Sequence, residues 1–109
     1  NIYVCEALFR SKINPKKNCS KLVTSKGKPK KNLILLVQKI NEVIKEAIEA
    51  GGSSLRDFSN ISGKMGYFQS SFNVYNRENE KCLLGSCDGV VKRIIQSGRS
   101  TFFCSKCQK

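Results

Sequence analysis

Histidine is absent from this chain of 109 residues, and acids are scarce, with 8 Asp and Glu against 20 Lys and Arg. Without histidine there is no imidazole for acid–base work and no mixed Cys/His metal site. The imbalance leaves a formal charge of +12. Positive charge of that size raises the expectation of a polyanionic partner, meaning DNA, RNA or an anionic membrane surface. A merely solubilising surface is the plainer reading, and the clustering of the charge argues against it. Long apolar runs are also missing. The longest, "NLILLV", falls well short of the roughly 18 residues of a membrane span. No secretory signal is visible. The chain opens at Asn1 without an initiator methionine, inside an already amphipathic stretch, and is expected to be a fragment of a longer protein.

So short a chain buries a modest core, and a metal or disulfide staple would help it. Residues 1–12 read as a helix, or its second half, from the spacing of Ile2, Cys5, Leu8 and Phe9. "INPKKN" breaks it. Asn14 as N-cap and Pro15 as first helical residue predict a second short helix. From Arg10 to Lys31 there are nine basic residues and no acid. Asn32 is the expected cap of a third helix over about 33–50. Its apolar stripe of Leu33, Leu36, Val37, Ile40, Val43, Ile44, Ala47 and Ile48 reads as ordinary core packing. Gly51 and Gly52 stop it. The Gly- and Ser-rich stretch that follows has no helical period and reads as a functional loop. "SFNVY" reads as a short strand or a helix end. "VVKRII" and "STFF" read as the strands of a hairpin joined by "QSGR".

Of six cysteines, Cys5 and Cys19 are expected to be small packed apolar residues. The others form Cys82-x4-Cys87-x16-Cys104-x2-Cys107. Two close pairs separated by a hairpin-sized spacer are the arrangement of a structural zinc site, each turn giving two thiolates. Two disulfides in a secreted protein are the alternative. The missing signal and the two left-over cysteines argue against it. A redox role for "CSKC" lacks the βαβ pattern around it. Four thiolates would close the metal's coordination, so the zinc would hold structure and would not activate water. The spacer carries Lys92, Arg93 and Arg99, with no acid from Val90 to Lys109. An arginine at the tip of a metal-stiffened hairpin suits a phosphate clamp. A single surface arginine is otherwise a solvated charge.

"NIYVCEALFRSKINP", "GGSSLRDF", "GYFQ", "VYNRENEKC" and "GRSTFFCSKCQK" together resemble the bacterial formamidopyrimidine-DNA glycosylase family, in the same order and over nearly the whole chain. The endonuclease VIII branch shares the first and last of these. "GGSSLRDF" and "GYFQ" favour the formamidopyrimidine branch. The resemblance implies a mainly α fold with a small β part: a helix–two-turns–helix DNA-binding domain over 1–75, followed by a β-hairpin zinc finger over 76–109. It implies DNA contacts by Asn1 and Arg99, to which the basic spacer residues Lys92 and Arg93 are expected to add. It also implies one structural zinc on Cys82, Cys87, Cys104 and Cys107. Ser54, Leu55, Arg56, Asp57 and Phe58 would belong to a lesion-capping loop at about 52–66, over a base extruded from the duplex.

The family usually spaces its first ligand pair by two residues, whereas Leu83, Leu84, Gly85 and Ser86 intervene here. Its nucleophile is an N-terminal proline in the other half of the enzyme. The chain is therefore expected to carry DNA grip without catalysis. It would be part of a bifunctional base-excision repair glycosylase and AP lyase for oxidised purines, formamidopyrimidine and 8-oxoguanine. Double-stranded damaged DNA would be the partner of a monomer in the bacterial cytoplasm, at the nucleoid, with no membrane involved. The competing reading is a stand-alone zinc-containing DNA- or RNA-binding module.

Overall fold

A computed structural model describes residues 1–52 and 68–109. The expected capping loop, with Ser54, Leu55, Arg56, Asp57 and Phe58, lies outside the described residues. The chain runs through helix α1 (Ile2–Arg10), a 3₁₀ turn (Cys19–Leu22), helix α2 (Lys31–Glu49), a second 3₁₀ turn (Phe68–Ser71), and strands β1 (Val91–Gln96) and β2 (Arg99–Cys104). The order is mainly helical with a small antiparallel hairpin, as the sequence predicts. No helix among the described residues is long and apolar enough to cross a membrane.

Helix α1 is buried on more than one side. Cys5 and Phe9, one turn apart, join Val74, Val91, Phe102 and three of the paired cysteines in one apolar cluster. Ala7 belongs to a second cluster with Val43 and Ala47 of α2 and with Phe68 and Phe72. An aromatic chain links the two clusters. Phe68 meets Phe72, Phe72 meets Tyr75 and Tyr75 meets Phe102, at centroid separations of 5.6, 5.6 and 4.9 Å. Each such pair adds about 0.5–1.5 kcal/mol beyond its buried area.

Both helices stop on the same backbone motif with different residues. After α2, Gly52 N–H donates to Ala47 O at 2.7 Å, with Gly51 left-handed at φ 77°. After α1, Ile13 N–H donates to Leu8 O and Lys12 N–H to Phe9 O, both at 3.0 Å, and Lys12 holds the left-handed position at φ 58°. Glycine occupies that place without a Cβ penalty and lysine does not.

Four expectations are corrected here. No α-helix starts at Pro15. Asn14 caps only a turn, through Lys16 N–H at 2.9 Å, and the next element is the 3₁₀ turn capped by Asn18. Leu22 is the one buried residue of that turn, and without an apolar stripe a short helix does not hold. Helix α2 starts one residue before Asn32, with Lys30 at the cap. Cys19 is exposed. The stripe on α2 is only partly core: Val43 and Ala47 are buried, whereas Val37 and Ile48 stay 51% and 73% exposed. Its buried residues pack on Ala7 of α1 and on Phe68 and Phe72, and a nine-residue helix with one short aromatic turn does not cover nineteen residues.

Candidate metal centre and nucleic-acid interface

Ser97 and Gly98, both at positive φ, make the two-residue turn between β1 and β2. That is the turn whose twist matches an antiparallel pair. Val91 lies opposite Cys104 and Gln96 opposite Arg99. The hairpin thus carries Cys104 at its base and Arg99 at its tip.

At the base, the Sγ atoms of Cys82, Cys87, Cys104 and Cys107 all lie within 4.8 Å of one another. Cys82 and Cys107 are 3.9 Å apart and Cys87 and Cys104 3.7 Å, sulfur to sulfur. A tetrahedron with zinc–sulfur bonds of about 2.3 Å has edges of about 3.8 Å, so the four positions fit that metal. The four residues between Cys82 and Cys87 do not spoil the site. They form a turn closed by Cys87 N–H to Leu84 O, while Cys82 N–H donates to Gly89 O, both at 2.8 Å. Gly89 is required beside it, because a Cβ there would stand 2.6 Å from the Cys104 sulfur. Burial pushes the Cys82 and Cys107 thiols up. Burial opposes ionisation of Cys104 as well, but the amides of Cys107 and Lys106 hold its thiol below the ordinary value.

Two buried polar side chains that the sequence reading missed brace this region. Gln108, with no exposure, accepts from Cys104 N–H at 2.8 Å and donates to Ile13 O at 2.9 Å. It ties the second cysteine turn to the end of α1. Glu6, equally buried, accepts from the backbone N–H groups of Asn73, Val74 and Tyr75. A glutamate among the apolar positions of a helix and a glutamine beside the last cysteine were the available signals.

At the tip, Arg99 is exposed in the first position of β2. The Asn1 side chain donates to the Ser100 carbonyl, so the start of α1 meets the tip of the hairpin. Arg93 Nε donates to Ser100 Oγ at 2.9 Å. Asn1, Arg93 and Arg99 therefore gather around one short stretch. Lys92 stands apart, opposite Phe103 nearer the base. Strand alternation puts Lys92 and Arg99 on one face and Arg93 on the other.

The formamidopyrimidine-DNA glycosylase H2TH domain model matches residues 1–59. The chain belongs to that family. The model described as a zinc finger found in FPG and IleRS matches residues 79–109. With the thiolate tetrahedron, this makes the four cysteines a site for one structural zinc. Formamidopyrimidine-DNA glycosylases of Rhodopseudomonas palustris (strain BisA53) and Rhizobium meliloti are 57% and 55% identical over 109 residues. Among solved structures, the Lactococcus lactis glycosylase with DNA containing an abasic site matches with a TM-score of 0.82 at 38% identity. The same protein, as a mutant with DNA containing Fapy-dG, also scores 0.82 at 38% identity. These matches cover all of this chain. The chain spans about 37% of the length of the glycosylase relatives it matches.

Proposed function

We propose that this chain is the DNA-gripping portion of a base-excision repair glycosylase and AP lyase for oxidised purines. The observation that carries the reading is the meeting of Asn1 with Ser100 beside Arg99. It brings together one residue from each end of the chain that the family resemblance marks for DNA. Arginine's planar fork suits two phosphate oxygens, and zinc at the hairpin base fixes where that fork points. The helix–two-turns–helix unit, residues 1–75, and the finger, residues 76–109, act as the jaws of one clamp on double-stranded DNA. Ser54, Leu55, Arg56, Asp57 and Phe58 cap the extruded base, and the protein works as a monomer in the cytoplasm. Support comes from the solved relatives, which hold DNA with an abasic site or Fapy-dG.

The test is the salt dependence of duplex binding. Arg99→Ala should lower the slope of log affinity against log salt by roughly 0.9 for each phosphate it no longer neutralises. Helical circular dichroism should not change, because an exposed residue at a turn contributes little to stability. An unchanged slope would refute the clamp.

A further inference from the structure

We propose that the lysine-rich lobe between α1 and α2 is a second phosphate track, which extends the Arg99 grip along one arm of the same duplex. This rests on the DNA-gripping reading above and adds a surface that the reading does not use.

Lys17, Lys21, Lys26, Lys28, Lys30 and Lys31 are all exposed. None forms an ion pair among the described residues. A lysine-rich segment held only by solvation is usually disordered, but this backbone is ordered. Asn14 and Asn18 side chains cap Lys16 N–H and Ser20 N–H at 2.9 and 3.0 Å. Thr24 N–H donates to Lys28 O at 2.8 Å, Lys30 N–H to Leu22 O at 2.9 Å, and Val23 bridges Pro29. The lysines are presented on a fixed frame.

Their placement also works against the fold. Lys30 and Lys31 stand at the cap and first residue of α2, and its first turn has no acid. That is where a helix favours negative charge. A local rule broken without a compensating interaction is expected where a partner supplies the missing charge.

Geometry joins the lobe to the hairpin. The Lys16 ammonium lies 5.9 Å from the Phe103 ring centre, and Gln96 donates to Pro15 O at 3.2 Å. Lys92 is directly across from Phe103. Lys16 and Lys92 thus flank one ring on the Arg99 face. Four residues of strand separate Arg99 from Phe103, about 14 Å, the length of about four nucleotides of a DNA strand at about 3.4 Å each. Gln96 stands directly across from Arg99, so its bond to Pro15 O sets the start of the lobe beside the hairpin tip, within that span, and the lobe's lysines follow Pro15 in the chain.

The experiment uses 8- and 24-base-pair duplexes with a central tetrahydrofuran abasic analogue. Three proteins are compared: wild type, Arg99→Ala, and the combined Lys17→Gln, Lys21→Gln, Lys26→Gln and Lys28→Gln variant. On the long duplex the four-lysine variant should lose about 2–4 units of salt slope and Arg99→Ala about one. On the short duplex only Arg99→Ala should change. Lys→Arg at the same four positions should restore the slope. An unchanged slope for the four-lysine variant on 24 base pairs overturns the lobe and leaves the Arg99 clamp standing. An unchanged slope for Arg99→Ala, with loss in the lysine variant, overturns the clamp instead. Equal loss on both lengths overturns the continuous track. Larger loss on duplex RNA than on DNA overturns the assignment to DNA.

Discussion

Glu6 and Val74 are joined by a hydrogen bond of 3.0 Å in the interior: the Val74 N–H donates to a carboxylate with no exposed surface. The same carboxylate takes Asn73 N–H at 2.8 Å and Tyr75 N–H at 3.2 Å. The Asn73 side-chain amide donates to it as well, at 3.2 Å, and a carboxylate facing four donors is worth more than a neutral acceptor. Glu6→Gln keeps the shape, removes the charge and turns one acceptor into a donor facing donors. It should lower unfolding stability by about 2–4 kcal/mol. Urea denaturation of the zinc-loaded protein reads this directly, and a loss under about 0.5 kcal/mol would contradict it.

Removing the metal should reach the helices. Cys104 shares its cluster with Cys5 and Phe9 of α1, so α1 does not rest on a core separate from the finger. Cys104→Ser should abolish stoichiometric zinc and also reduce the helical circular dichroism signal. An undiminished helical signal in the metal-free variant would show that α1 needs no finger.

Zinc affinity should rise with pH. Burial raises the Cys82 and Cys107 thiols, so near neutrality they carry protons that zinc must displace. Raising the pH removes that cost. Competition with a coloured chelator from about pH 6.5 to 8 should show progressively tighter binding. An affinity flat across this range would speak against proton displacement.

Lys12→Gly should stabilise the protein by up to about 1 kcal/mol, because it relieves a side chain held in the left-handed region. Gly51 already fills the matching position after α2. Thermal melting of the two proteins decides it, and a lower melting temperature for the glycine variant would mean that Lys12 makes an interaction worth more than its strain.

The chain by itself should form no borohydride-trapped adduct with abasic or oxidised DNA. Near the hairpin, the Lys106 pKa is raised by its partner Asp88. That is the wrong direction for an amine nucleophile, which needs a lowered value. A covalent complex formed at enzyme-like rates would refute this.

The hairpin and the metal site were legible in the sequence because local chemistry dictates both. Ser97–Gly98 fixes the turn, and cysteine spacing fixes the ligands. The stop of α2 at Gly51 was legible for the same reason. Other features depended on tertiary neighbours. The apolar stripe of α2 has a helical period whether or not anything covers Ile48. Asn14 is a good cap, but the segment from Pro15 to Leu22 has no apolar face to bury beyond Leu22 itself. Glu6 and Gln108 find their partners 67 and 95 residues away, and no local pattern encodes such a meeting. The family resemblance marks Asn1 and Arg99 separately for DNA. Their approach through Ser100 came only with the fold.

The burial of α1 between α2 and the hairpin bears on how this finger can be moved between proteins. Val91 and Phe102 complete their apolar surroundings with Cys5 and Phe9. A graft of residues 79–109 alone would carry the ligands and leave that surface wet. A portable version must bring α1 along or meet an equivalent helix in its host. The cassette that can be inherited or engineered is thus larger than the metal-binding motif: a finger together with the helix it leans on.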